Sequence, residues 1–394
     1  MEKIALEIDD RPLELDALVA QGTLRTTGSI LIDFEIAESL SHKGLELAHN
    51  LNDKAAEAKI LWNLLNIYRR TNRENEAITV GKLSYELAEA LNLKEQMAYS
   101  AIDMVKIYVF MGQGAKLMSY GWRAVELWRE LDNRPMLVDA LTTQAFVLLG
   151  IGQFDQALAL SAEAKIISQE SKNLWGEALS YYAPAMVHTE QLNIEAALAS
   201  FNSGLGLAEE GGVTIIQFYM NMFQTNLYLA ISDYQSAKKC SERMMSIAEK
   251  QLPFHTRRAI GTLALVHLEM GDMETAAELI NKLGYDIDNF ELNYFLMVEK
   301  AVGQYLLQKE AYSDLFRLTT KVLESLEENS LVALMSDFHY LQAQALFGLQ
   351  KSDEAKITLH KGLKISREFE GRRGILKLTE LLAELEGKAG NETA

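Results

Sequence analysis

The sequence holds one cysteine, Cys240, in 394 residues, so no disulfide can close within the chain, which fits a reducing compartment. Four prolines are too few for a Pro-rich linker, and 48% hydrophobic content argues against disorder. No apolar run reaches the ~18 residues of a membrane-spanning helix. Residues Met1–Asp10 lack both the apolar core and the cleavage site of a signal peptide. The expectation is a cytoplasmic chain without a membrane. Positive charge is also scarce: 38 Lys and Arg face 55 Asp and Glu, a net charge of −17. No basic stripe is present to displace counterions from phosphates, so no nucleic acid is expected to bind this segment.

Catalytic and metal-binding spacings are missing too. His42, His49, His188, His255, His267, His339 and His360 never form a pattern such as His-Glu-x-x-His, and Cys240 has no Cys or His at ligand spacing. Gly112-Gln-Gly114-Ala-Lys116 looks like a phosphate loop only superficially. It lacks a preceding strand and a Gly-Lys-Ser/Thr ending, and its glycines fit a helix-terminating turn. No strand-turn-helix serine elbow occurs. No metal, no cofactor and no enzymatic activity are therefore expected.

What the chain does contain is a period. Ala37, Ala77, Ala157, Ala197 and Ala237 are 40 or 80 residues apart, and Leu117 fills the missing slot. Ala276 and Ala355 continue the series, with the intervening slot expected near Asp314, a poor fit that predicts a distorted unit over 286–328. A period in this range predicts stacked supersecondary units rather than one globular core. Each unit reads as two helices. In 58–68 the apolar residues Leu61, Leu64, Leu65 and Tyr68 lie at helical spacing; in 76–88 Ala77, Val80, Ser84, Leu87 and Ala88 do. A large residue (Phe34, Phe154, Ile194, Tyr234 or Met273) stands three positions before the small one, which lets the second helix approach the first. Gly112, Gly152 and Gly271 stand where a first helix must stop, a position suited to a left-handed cap.

This pattern resembles the tetratricopeptide repeat (TPR). Tyr68, Tyr108, Tyr228 and Tyr305 fall on its first-helix aromatic position, the three glycines on its turn glycine, and Ala77, Ala157, Ala197 and Ala237 on its packing alanine. The usual unit is shorter. The 40-residue form is similar to the MalT-like helical sensor regions of signal-transduction (STAND) ATPases, and to repeats of kinesin light chains and of peptide-sensing regulators of sporulating bacteria. The resemblance implies an all-α, right-handed α-solenoid of about nine helix pairs plus a C-terminal helix. The boundaries are residues 1–10 as the tail of a preceding repeat helix, 11–285 as seven regular repeats, 286–370 as two less regular ones, and 371–394 as a terminal helix with a truncated repeat. Both ends read as cut from a larger protein.

In this family the first helices line a concave groove. Carried over slot by slot, the groove would present Lys59, Trp62, Asn63, Asn66, Tyr99, Asp103, Lys106, Phe146, Tyr182, Met186, Tyr219, Phe223 and Asn226. Aromatic and methionine side chains offer adaptable contact area, and asparagine can hold a peptide backbone. The alternative is that some of these side chains pack only against the next repeat. Pro184, inside a helix expected over 178–191, either kinks it to open a pocket beside Tyr181, Tyr182 and Met186 or marks a tolerated bend. The expected function is a non-catalytic interaction or sensor segment of a larger cytoplasmic signalling protein, taking a peptide, protein or small ligand. The alternative is a constitutive adaptor or oligomerisation scaffold, with self-association through open solenoid ends.

Overall fold

The computed structural model describes residues 2–27 and 31–392. Residues 1 and 393–394, which fall in the expected cut ends, lie outside the described residues. Among those described, no strand is present. A short α1 (Glu2–Glu7) precedes nine successive helix pairs. They are α2 (Arg11–Thr26) with α3 (Phe34–Leu51), α4 (Lys54–Arg70) with α5 (Glu74–Ala90), and α6 (Lys94–Phe110) with α7 (Met118–Glu130). Next come α8 (Arg134–Gly150) with α9 (Phe154–Ser171), the broken helix α10 (Leu174–Ser180) and α11 (Tyr182–Glu190) with α12 (Ile194–Glu210), and α13 (Thr214–Ala230) with α14 (Tyr234–Gln251). Last are α15 (Thr256–Glu269) with α16 (Met273–Leu283), α17 (Met297–Gln308) with α18 (Tyr312–Glu328), α19 (Ser336–Gly348) with α20 (Ser352–Glu368), and the closing α21 (Arg372–Glu392). The chain divides into two compact units, residues 1–109 with 116–143 and residues 110–115 with 144–394, so the division falls inside α8.

The recurring small residue sits in the first turn of each second helix. Ala37, Ala77, Ala157, Ala197, Ala237, Ala276 and Ala355 are all fully buried. Where Leu117 fills the slot, the helix does not begin as an α-helix: Gly114–Leu117 forms a 3₁₀ turn and α7 starts at Met118. A bulky side chain at a close approach is accommodated by backbone shift. The slot expected near Asp314 belongs instead to Leu315. Asp314 is solvent-facing and paired with Arg317 (3.1 Å), whereas Leu315 is fully buried. Gly303 on α17 makes room for Leu341 beside it: a Cβ there would lie 2.9 Å from Leu341 Cδ1 but at an ordinary contact distance, 3.6 Å, from Leu315 Cδ1.

The turns obey a rule of their own. Asn52, Asn72, Asn92, Gly112, Asp132, Gly152, Lys172, Leu192, Gly212 and Ser232 follow one another at intervals of 20 residues, and all are left-handed, with φ between 50° and 78°. The next residue's N–H returns to the carbonyl five back, as in Arg73 to Tyr68 (2.9 Å) and Asn193 to His188 (2.8 Å). This is the Schellman closure, which satisfies the last helical carbonyls. Between Asn52 and Ser232 both turns of a repeat carry a left-handed residue, not only the one marked by glycine, whereas the caps of α2 (Thr27, φ −98°) and α14 (Leu252, φ −132°) do not. Lys172 is exposed and left-handed at φ 53°. Lys172→Gly is therefore expected to raise stability by about 0.5–1 kcal/mol, and Lys172→Ala to give no gain, measured by thermal unfolding.

Pro184 interrupts its helix between Ser180 and Tyr182. It cannot donate to the Ser180 carbonyl, and Tyr181 N–H turns to Ala178 O (3.3 Å), closing a tighter turn. Tyr182 is not left beside an opening: its ring meets Phe223 (5.8 Å) and its hydroxyl donates to Ile216 O (3.4 Å).

The irregularity near 286 has a specific form. Thirteen non-helical residues, 284–296, separate Leu283 of α16 from Met297 of α17. α17 has 12 residues where α4, α6 and α13 have 17. This strap is bounded by left-handed Gly284 (φ 54°) and Leu296 (φ 50°). For leucine that conformation costs about 1–2 kcal/mol. At the other end of the second unit, Leu378, Leu381 and Leu385 of α21 pack on Leu346, Leu359 and Leu363, covering the last pair.

Candidate functional site

The residues expected to line one groove fall into two clusters, one in each unit. In the first unit, α4 and α6 face each other through a buried ionic network. Asp103 accepts hydrogen bonds from Trp62 Nε1 (2.8 Å) and Asn66 Nδ2 (3.1 Å). Lys106 Nζ bridges Asp103 (3.1 Å) and Asp139 (2.6 Å), and Arg69 donates to Asn66 Oδ1 (2.9 Å). Burial alone would raise the Asp103 pKa. The charges of Lys106 and Arg69 and the two side-chain donors outweigh it and hold the carboxyl well below the usual carboxylate range. Lys106 is held above its ordinary value because its two carboxylates outweigh the cost of burial.

Lys59 differs. Its Nζ lies 4.2 Å from the centre of the Trp62 ring and 5.0 Å from that of Tyr99, and no ion pair reaches it among the described residues. Burial lowers its pKa, with Glu95 and Asp103 opposing. Tyr99 stacks at a tilt on Trp62 (5.1 Å) and edge-on to Trp128 (4.8 Å). Arg70, on the same helix, is pushed down to about 10 by burial and then by Arg69 beside it; among the described residues it has no ion-pair partner either. A half-buried cation over aromatic rings interacts well with them but keeps its demand for an anion.

The amide pair does not stand ready for a peptide backbone. Asn66 is spent on the network. Asn63 is 1% exposed and turned toward α2, where Thr23 Oγ1 donates to its Oδ1 (3.1 Å). Its Nδ2 and Ser41 Oγ are buried and unpartnered, 3.3 and 3.5 Å from where a Gly22 Cβ would sit.

In the second unit, Phe146, Tyr182, Tyr219 and Phe223 do come together, but not as an open surface. Tyr294 and Phe295 of the strap lie on them. Tyr294 meets Phe146 at 4.7 Å, and Phe295 stacks on Tyr219 at 5.0 Å with 22° between the planes. Phe110 joins from the end of α6 (5.7 Å to Phe295). Arg258 holds its guanidinium 4.3 Å from the Phe295 centroid and donates to the Tyr219 hydroxyl (3.1 Å). His255 accompanies it and is pushed down to about 4 by burial and by the Arg258 charge. Met186 and Asn226 are half-buried. Sequence reasoning missed Asp139, Arg69, Arg258, Tyr294 and Phe295. The only signal for the last two was the broken periodicity around 286.

No group of three or more His, Cys, Asp or Glu among the described residues is placed to hold a metal ion. No helix among them is long and apolar enough to cross a membrane. No protein-family model matches the sequence, and no curated protein matches it. Among solved structures, the chain is similar to a Rap protein complexed with competence and sporulation factor, with a TM-score of 0.63 and 15% identity over 92% of this chain and 99% of that one. Apo RapI matches with a TM-score of 0.47 and 15% identity, covering 78% of this chain and 100% of its own. Yeast Tom70 matches with a TM-score of 0.39 and 11% identity, covering 98% and 91%. The Rap likeness, together with the helix pairs, defines the class: an all-α repeat array of tetratricopeptide-repeat type.

Proposed function

We propose that this chain is a non-catalytic peptide- or protein-binding array, acting as the sensor segment of a larger cytoplasmic signalling protein, of which STAND ATPases are one type. The observation that carries the reading is Lys59, a half-buried cation over Trp62 and Tyr99, joined on α4 by Arg70 near the Phe34 ring (5.9 Å); neither has an ion-pair partner among the described residues. In a chain of net charge −17, two uncommitted cations beside aromatic rings favour a ligand that brings a carboxylate and an apolar group together. The fold shared with a Rap protein solved with competence and sporulation factor is consistent with a peptide as that ligand. Contacts from successive first helices would favour one arrangement of the array over another, which is how a binding event could reach an attached effector.

Panning a random peptide display library against the full chain tests this. Selected acidic-aromatic peptides are expected to lose at least about tenfold in affinity on Lys59→Ala and on Arg70→Ala. Selected peptides that bind both variants as tightly as the parent chain would sink the reading. A second reading, a constitutive adaptor or oligomerisation scaffold, is favoured by exposed Ile4, Leu6 and Ile8 at the N-terminal end of the first unit. It predicts self-association by sedimentation that Ile4→Asp reverses without affecting peptide capture.

A further inference from the structure

The aromatic surface of the second unit is already occupied, and its occupant belongs to the chain. We propose that this surface is a second peptide-binding site held shut by the 284–296 strap. Its partner is a peptide carrying two adjacent aromatic side chains, which takes the place of Tyr294 and Phe295. The proposal rests on reading the chain as a peptide-binding array, but it concerns residues other than Lys59 and Arg70.

Several observations converge on this. The strap is held at one end of its length. Asp286, Asp288, Asn289 and Glu291 are exposed, while Tyr294 is 3% exposed. The exposed part is tied at Asp288, whose carbonyl accepts from Lys321 Nζ (3.1 Å) and whose carboxylate pairs with Arg317 and Lys321 (3.6 Å each), while Arg257 Nη1 donates to Leu283 O (2.6 Å) at the helix end just before the strap. The inserted part mimics a ligand. The Tyr294 N–H donates to Phe110 O (3.2 Å), a carbonyl at the end of α6 that has no helical partner, and its hydroxyl donates to Phe146 O (3.3 Å). The surface is shaped for it. A Cβ on Gly150 would stand 2.9 Å from Tyr294 Cε2, and one on Gly112 2.6 Å from Leu292 Cγ. Left-handed residues at both ends, Gly284 and Leu296, give the strap two places to swing about. A tethered segment competes at an effective concentration on the order of millimolar. A free peptide therefore sees only the fraction of molecules whose strap has opened, and its apparent affinity falls by that fraction.

The probe is a labelled synthetic peptide of residues 286–297, added to the full chain. The parent chain is expected to bind it weakly. Tyr294→Ser/Phe295→Ser, which empties the site, should bind it at least about tenfold more tightly, and Gly150→Ala added to that emptied chain, which crowds the space a tyrosine takes, should weaken the binding again. Phe146→Ala/Phe223→Ala in the emptied chain should abolish that gain, while Lys59→Ala should leave it intact. A folded emptied chain that binds no better than the parent, or that binds equally a peptide with serine for Tyr294 and Phe295, overturns the proposal. If either variant fails to fold, hydrogen exchange on the parent chain decides. The Tyr294 amide must exchange through local opening, well before the α13 amides; equal protection overturns the proposal. Loss of the gain on Lys59→Ala, with Phe146→Ala/Phe223→Ala without effect, would assign the peptide to the first-unit site and overturn this proposal, whereas failure of the first-unit reading is read separately, from library peptides that ignore Lys59→Ala and Arg70→Ala.

Discussion

Replacing Asp337 by alanine is expected to destabilise the second unit by about 3–5 kcal/mol. Asp337, near the start of α19, is buried beneath three cations. Arg373 donates to both its oxygens (2.9 and 3.3 Å), Lys300 lies at 2.7 Å and Lys377 at 3.3 Å. Arg373 Nε reaches on to Glu190 of α11 (3.0 Å), so two carboxylates sharing Arg373 tie α11, α17, α19 and α21 together. Burial by itself would raise the Asp337 pKa. Arg373, Lys300 and Lys377, in that order, outweigh it and hold the carboxyl well below the ordinary range. Removing it leaves Arg373 and Lys300, both mostly buried, with one fewer counter-charge, while Lys377 can turn to water. Breaking a buried pair costs more than the pair contributes, because the survivor stays desolvated. The depressed pKa also sets a pH signature. Its stabilisation is present above the unfolded carboxyl value and is lost as pH falls through the folded one, so the parent chain weakens below about pH 4. Urea unfolding at pH 7 measures the loss; a shift under about 1 kcal/mol would mean the network is replaceable.

Glu299→Gln should do the reverse, stabilising the chain at pH 8 by about 3 kcal/mol. Glu299 lies in the first turn of α17, 6% exposed, just beyond the strap. Burial pushes its carboxyl up to about 7 from an ordinary 4.5; its own backbone N–H and the charges of Arg257 and Arg258 offset only part of that. Tyr285 is the other titratable group facing it, and burial together with the Glu299 charge raises its phenol. With a folded pKa above the unfolded one, the favourable contribution of Glu299 is complete below about pH 4.5 and disappears as pH rises to about 7. Stability in the parent chain should therefore decline across that window, and the glutamine variant should be flat there. Unfolding midpoints at pH 5, 6, 7 and 8 check it. Equal slopes in both chains would assign the decline to another group.

Much of this architecture could be read before any coordinates. The alanine period located the second helices because a two-helix unit repeats its closest approach at the same place each time. Gly112, Gly152 and Gly271 marked turns because a left-handed residue ends the first helix of every pair after the first. The matching caps at Asn52, Asn92 and Lys172 went unread, since asparagine and lysine do not announce that conformation as glycine does. Asp314 was mistaken for Leu315 because a slip of one residue is invisible in a series whose steps already vary. The candidate surface was legible only in part. Trp62, Tyr99, Asp103 and Lys106 were placed together by repeat arithmetic, and they do meet. That Asn66 would be consumed by Asp103, and Asn63 by Thr23, depends on neighbours 37 and 40 residues away.

The sequence by itself determined the helix pairs, because hydrophobic period, small-residue slot and turn chemistry all act within about 20 residues of one another. Only the tertiary structure decided which inner side chains stay available. Their commitments are made across repeats, by partners that carry no period. Tyr294 donates to Phe146 O from 148 residues away, and Arg373 pairs with Glu190 from 183. A period records what each repeat does to its neighbour; a single strap laid across several repeats leaves no trace in it.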